Sequence, residues 1–174
     1  MKAELDRYDW AALRCACEHG AAHLAGDFLL LAAAKGRGEA QALGLENHLM
    51  IQSFPQEPAV PAASVLMAAL AQELSVGART EILDLLLRLV DNDDEDVSEA
   101  CRQTARQGLW LFYAEIAAAR GPDTVAYACD ILKLIEPDRT RLSEPGRAVA
   151  GQDAVHGRGQ QVQQVGEAGR FSPA

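Results

Sequence analysis

The sequence has few aromatic residues, no long hydrophobic run and no excess of basic charge. Aromatic side chains make up 5% of the 174 residues, and 25 acidic residues outnumber 16 basic ones to give a net charge of −9. Such a chain lacks the basic surface that binding to a phosphate backbone requires, which argues against nucleic acid as a partner. No apolar run reaches the roughly 18 residues of a membrane span, and residues 1–7 lack the apolar core of a secretory signal. We therefore expect a cytoplasmic protein with no membrane partner.

Motifs of catalysis are missing as well. The chain has no glycine-rich phosphate loop, no Gly-x-Ser-x-Gly elbow and no His-Glu-x-x-His pair. The segment 35–38, Lys-Gly-Arg-Gly, is short enough to be a turn between helices. The expectation is a protein that is not an enzyme and that carries no cofactor.

What the sequence does contain is a helical pattern of apolar residues over most of the chain before residue 142. Alanine and leucine, the best helix formers, are abundant in it. The pattern predicts helices over 60–74, 82–90, 97–116 with a break at Gly108, and 125–135, with three further helical segments upstream over 4–18, 21–34 and 38–51. The fold class expected is all-α.

Two of these helix pairs repeat with a period of about 45 residues, which is typical of HEAT and armadillo repeats. The connections are short, so the helices of a pair must pack antiparallel, and each pair needs a neighbour to cover its apolar face. A short HEAT-like solenoid is predicted over residues 1–142, with a plain helical bundle as the alternative. Residues 143–174 hold six glycines and five glutamines and no helical stripe, which predicts a disordered tail.

Four segments also resemble the HEAT-repeat-type helical proteins common in actinobacteria, and the resemblance spans about residues 40–142. The segments are 45–52, 58–61, 78–89 and 108–115. Where that group often has His-Gln-Gly, this chain has Ile51-Gln52-Ser53, so only the glutamine matches. The resemblance implies a packing pattern rather than catalysis, and a likeness to small immunity partners that block toxins.

The sharpest cluster of possible metal ligands lies near the N-terminus. On a continuous helix, Cys15, His19 and His23 share one face at steps of four, and thiolate and imidazole are ligands that zinc prefers. Cys17 would point away from that face, and Gly20 would end the helix between the two histidines. The alternative is that these are small apolar cysteines and partly exposed histidines with no ligand.

Two features suggest surfaces for a protein partner. The acids Asp93, Asp94 and Asp96 fall in a run just before a helix. Asp94 or Asp96 could cap free N–H groups of that helix, and the run could attract a basic partner. Trp110 and Tyr113 are aromatic side chains of the kind that anchor interfaces, although packing against a neighbouring helix pair is an equal alternative.

The function expected from these features is a non-catalytic protein-protein interaction module with an acidic surface. Its candidate roles are an immunity-type inhibitor or a scaffold, and its partner would be another protein of basic or mixed charge. The alternatives are a helical protein that binds a metal or small molecule through Cys15, His19 and His23, and a subunit of a larger helical assembly. The sequence does not fix the oligomeric state.

Overall fold

The computed structural model describes residues 1–17 and 20–143. Contacts divide the chain into Met1–Pro137 and Asp138–Ala174. In the second unit, the described residues contain a single turn of 3-10 helix, Arg141–Ser143. Apart from Ser143, the predicted tail over 143–174 lies outside the described residues.

The first unit is mainly helical and contains one small hairpin. Its elements in chain order are α1 (Lys2–Leu5), a 3-10 turn (Trp10–Ala12), α2 (Leu24–Ala33), α3 (Arg37–Gln41), α4 (Glu46–Leu49), β1 (Met50–Ile51), β2 (Phe54–Pro55), α5 (Ala59–Leu70), α6 (Val76–Val90), α7 (Glu95–Arg106), α8 (Leu109–Ala118) and α9 (Pro122–Ile135). No helix among the described residues has the length and apolar character needed to cross a membrane.

Helix α6 lies at the centre of the packing. It contacts α9, α3, α5 and α7, while α8 packs on α9 and α5 on α7. Apolar residues on several faces of α6, such as Ile82, Leu85 and Leu89, are buried, as expected for a helix covered on more than one side. The N-cap of α6 is Ser75, whose hydroxyl oxygen accepts the N–H of Ala78 at 3.0 Å.

A buried ion pair ties α6 to α8 and to the end of α5. Arg79 pairs with Glu115, and both side chains are almost fully buried. The same guanidinium donates to the Leu70 carbonyl at 3.1 Å and to the Gln72 carbonyl at 2.8 Å. The Leu70 carbonyl is the last of α5 and lacks a partner within the helix, and Gln72 lies two residues beyond it.

The predicted break at Gly108 is confirmed, because α7 ends at Arg106 and α8 begins at Leu109. A Cβ atom at position 108 would lie 2.5 Å from Met67 Cε, so glycine permits the close approach of α5 at this point. Asp94 is the N-cap of α7 and accepts the N–H groups of Asp96 and Val97, both at 3.1 Å.

The predicted helix over 4–18 is wrong. The chain leaves α1 after Leu5 and turns so that Trp10 is buried, with its indole N–H donating to the Leu5 carbonyl at 2.9 Å. The Trp10 ring packs on Phe28 of α2, with 5.5 Å between ring centroids. Burial of one large aromatic ring therefore prevails over the helical propensity of a short alanine-rich segment.

The predicted helix over 38–51 is also divided. Gly44 has a φ of +62°, in the left-handed region that ends helices, and it separates α3 from α4. The chain then forms an antiparallel hairpin in which Ile51 pairs with Phe54 across the loop residues Gln52 and Ser53. The all-α expectation is therefore correct only as a mainly helical fold with a two-stranded sheet.

Candidate metal centre

Four side chains that commonly bind metals converge in the N-terminal half of the first unit. Ligand atoms of Cys15, Cys17, His23 and His48 all lie within 4.8 Å of one another. The two sulfur atoms are 2.7 Å apart, Cys15 Sγ lies 3.8 Å from His48 Nδ1, and Cys17 Sγ lies 4.0 Å from His23 Nδ1. All four residues are half-buried, and the chain's four cysteines are free thiols.

The two cysteines lie in a loop that is closed by hydrogen bonds. The Ala21 N–H donates to the Leu13 carbonyl at 3.0 Å, so the chain returns on itself around the cysteines. Gly20, inside this loop, has a φ of +70°, which explains why glycine is suited to that position. The backbone N–H of Cys17 donates to Cys15 Sγ at 3.5 Å, which partly offsets the effects that raise the pKa of the Cys15 thiol.

An ion pair fixes the entry to the loop. Arg14 binds Glu57 through its backbone N–H and its side chain, with both N to O distances at 2.7 Å. The hydrogen bonds from Arg14 lower the pKa of Glu57. The residue before Cys15 is thereby held against the segment that follows the hairpin.

His23 is oriented by the helix that it starts. It is the N-cap of α2, and its Nδ1 faces Cys17 while its Nε2 lies 3.9 Å from Asp27 Oδ2, one helical turn later. His23 Nε2 is buried and makes no hydrogen bond within the described residues. In metal-binding histidines the far nitrogen usually donates to a carboxylate, which fixes the tautomer and orientation of the ring, and Asp27 is the carboxylate that faces this nitrogen.

His48 comes from α4, just before the hairpin. Its ring packs edge-on against the His23 ring, with 4.5 Å between centroids. Burial, followed by the nearby His23, lowers the pKa of His48. A lowered pKa keeps the imidazole neutral near pH 7, which leaves a nitrogen lone pair available to a metal.

The donor set of two thiolates and two imidazoles matches zinc in composition and number. Zinc takes four such ligands in a tetrahedron, with Zn–S of about 2.3 Å and Zn–N of about 2.0 Å, so ligand atoms are separated by about 3.3–3.8 Å. The two S to N distances are close to that range, and the sulfur atoms would have to separate by about 1 Å around an ion. Burial and then the hydrogen bond with the Cys17 side chain raise the pKa of Cys15, so metal binding would release a proton there.

Two of the three predicted ligands, Cys15 and His23, belong to the cluster that the described residues form, and the third, His19, lies outside the described residues. A continuous helix would put Cys17 on the face opposite Cys15. The segment is a loop instead, so the two sulfur atoms can lie side by side. His48 is 25 residues beyond His23 in the chain and carries no spacing signal, so only the folded chain shows it as part of the cluster.

The predicted partner-binding residues fall at two places. Asp93, Asp94 and Asp96 are exposed near the start of α7, while Trp110, 63% exposed, and half-buried Tyr113 lie on α8. The Tyr113 hydroxyl donates to Glu136 at 2.7 Å. The acids lie at the start of α7 and Trp110 lies in the first turn of α8, so most of the length of α7, about 18 Å, lies between them.

Comparisons with protein-family models, with curated proteins and with solved structures give no match. The chemistry of the four converging ligands is therefore the best guide to function.

Proposed function

We propose that this chain is a zinc-binding protein in which Cys15, Cys17, His23 and His48 hold one structural ion. The observation that carries the proposal is the placement of two sulfur and two imidazole nitrogen atoms within 4.8 Å of one another. Four protein ligands leave no open position for water or substrate, which is the pattern of structural rather than catalytic zinc. This proposal replaces the expectation of a chain without a cofactor.

The ion would join three parts of the chain that are separate in sequence. It would hold the loop at Cys15 and Cys17 against the start of α2 and against α4, which leads directly into the hairpin. Helices α1, α3 and α4 have only four or five residues each, and helices this short are not stable without tertiary contacts. Zinc would thus fix the N-terminal segments on the helical core.

Metal content and cobalt spectroscopy of the purified full chain test this proposal. We expect one zinc per chain and, after exchange for Co²⁺, the strong visible bands of tetrahedral cobalt with thiolate charge transfer. The bound metal and the cobalt bands should both be lost in each of the four ligand variants, C15S, C17S, H23A and H48A. C129S is the matched control, because Cys129 is half-buried on α9, away from the cluster. Absence of stoichiometric zinc, or an equal loss in C129S, would contradict the proposal.

One further variant separates the two ligand sets. H19A should retain zinc if the ion is bound by the set seen in the structure, and should lose it if the ion is bound by Cys15, His19 and His23. H48A should lose zinc if the ion is bound by the set seen in the structure, and should retain it if the ion is bound by Cys15, His19 and His23. The two variants together therefore distinguish the helical prediction from the folded cluster.

A second candidate function is protein binding through an acidic and apolar surface. The hairpin exposes two cross-strand neighbours, Ile51 at 49% and Phe54 at 59%. The hairpin loop is joined to the acidic run, because the Asp93 N–H donates to the Ser53 carbonyl at 3.1 Å. An exposed apolar pair beside several carboxylates suits a basic partner with an apolar side chain, in the role of an immunity-type inhibitor or a scaffold.

Charge reversal tests this surface once a partner has been captured and purified. D93K and D96K leave the N-cap Asp94 intact, so helix α7 keeps its first hydrogen bonds. We expect the double variant to slow association strongly at low salt and little at high salt, and F54S to speed dissociation. E73K is the control for an exposed acid elsewhere. Equal association rates for D93K/D96K and the unchanged chain would show that the partner does not bind at this surface.

The HEAT-like arrangement remains part of the proposal. Its support is that α5 packs on α6, α8 packs on α9, and α6 runs against α9, as two stacked helix pairs would. Helices α7 and α8 would together form one bent outer helix. An experimental structure that superposes the first pair on the second tests this arrangement.

A further inference from the structure

We propose that Cys15 and Cys17 are a site of reversible oxidation, in which a peroxide joins them in a disulfide and the bound zinc is expelled. The release of zinc in this inference rests on the proposed function. The formation of the disulfide rests only on the position of the two sulfur atoms, which lie 2.7 Å apart.

The geometry favours this pair over the other cysteines. A disulfide requires about 2.05 Å between sulfur atoms, so the pair needs only a small closing movement. Residues 16 and 17 form a bend, and the Cys17 N–H contacts Cys15 Sγ, which shows that the chain already folds back at this point. Both residues are half-exposed and within reach of a small oxidant, whereas Cys101 is fully buried.

The chemistry balances in two steps with hydrogen peroxide as the oxidant. One thiolate attacks a peroxide oxygen, the O–O bond breaks, and a sulfenic acid and one water form after uptake of a proton. The second thiolate then attacks the sulfenic sulfur, and the S–O bond breaks with uptake of another proton to release a second water. Peroxide gains two electrons, and the two sulfur atoms lose one each.

Loss of the thiolates would remove two of four zinc ligands. A disulfide sulfur is a poor ligand, so the ion would be held only by His23 and His48. Two imidazoles alone bind zinc far more weakly than a complete tetrahedral set, and the ion would pass to solvent. A thiol reductant would restore both thiolates and allow zinc to bind again.

The test uses the full zinc-loaded chain and hydrogen peroxide, with a colorimetric chelator to follow the metal. After oxidation, free thiols are alkylated and the chain is digested with trypsin. The expected peptides 15–35, 89–102 and 121–133 separate the Cys15 and Cys17 pair from Cys101 and from Cys129. We expect peptide 15–35 to lose about 2 Da and to escape alkylation in step with zinc release, and dithiothreitol to reverse both changes.

The possible outcomes distinguish the two proposals. Zinc present at the start but retained after peroxide, or lost with sulfinic acids in peptide 15–35, would overturn the oxidation proposal and leave the metal proposal intact. No zinc at the start would refute the metal proposal and the release with it, while peptide 15–35 would still report on the disulfide. C129S should behave as the unchanged chain does, because Cys129 takes no part.

Discussion

Replacement of His48 by alanine should remove most of the stability that zinc adds, because His48 is the ligand that only folding brings to the site. Cys15, Cys17 and His23 lie within nine residues and could hold an ion in the unfolded chain too, whereas His48 closes a loop of about 30 residues with Cys17. Closing a loop of that length is worth about 3.5 kcal/mol by the chain-entropy relation for cross-links. The folded chain should therefore bind zinc several hundred-fold more tightly than the unfolded chain.

The assay is thermal unfolding with saturating zinc and with a chelator. For a unit of this size, about 3.5 kcal/mol corresponds to a rise in Tm of about 10–15 °C. In H48A the remaining ligands can bind zinc in the folded and the unfolded chain alike. The increase in the free energy of unfolding on zinc binding should therefore fall below about 1 kcal/mol. C129S should keep the full gain. An equal rise in Tm with zinc for H48A and the unchanged chain would contradict this prediction, and so would almost no rise in the unchanged chain.

Three other variants test separate parts of the structure. Asp27→Asn should weaken zinc binding by about 10–100-fold in a competition titration, because the carboxylate that faces His23 loses its charge, and an unchanged affinity would contradict this role. Arg79→Leu should cost about 3 kcal/mol in urea unfolding, since it leaves Glu115 with only the partly exposed Arg120 as partner, and a loss below about 1 kcal/mol would be inconsistent with a buried pair. In the metal-free chain, the pKa of His48 lies below its ordinary value of 6.5, so the unfolded chain takes up the proton first. The free energy of unfolding should then decline as the pH falls below about 6.5, and H48Q should decline less over the same range.

The sequence predicts the helical core well because each long helix carries several turns of apolar residues. Over α5, α6, α7, α8 and α9 the period persists long enough to identify the face that packs, and glycine at position 108 marks the break. The residue pattern also identifies the start of α7, because it offers Asp94 or Asp96 as the cap and Asp94 is the N-cap.

The N-terminal region is harder to predict because its structure depends on contacts that are distant in sequence. Residues 4–18 have a helical pattern of apolar residues, yet Trp10 turns inward to pack on Phe28 and the helix ends at Leu5. The wrong helix then misplaces Cys17, since helical geometry puts residues two apart on different faces. The Cys-x-Cys spacing together with Gly20 was the available signal for a loop, whereas nothing near His48 indicates a ligand.

The two halves of the first unit thus differ in what stabilises them. From α5 onward, helices of ten to fifteen residues bury continuous apolar faces against one another, and no cross-link is needed to hold them. Before α5, only α2 reaches ten residues, whereas α1, α3 and α4 are too short to do so, and single buried side chains such as Trp10 anchor the chain there. A metal bound by the loop cysteines, by His23 at the start of α2 and by His48 in α4 would join three segments of this half at a single point. The two thiols among these ligands are half-exposed, so an oxidant can reach the same point.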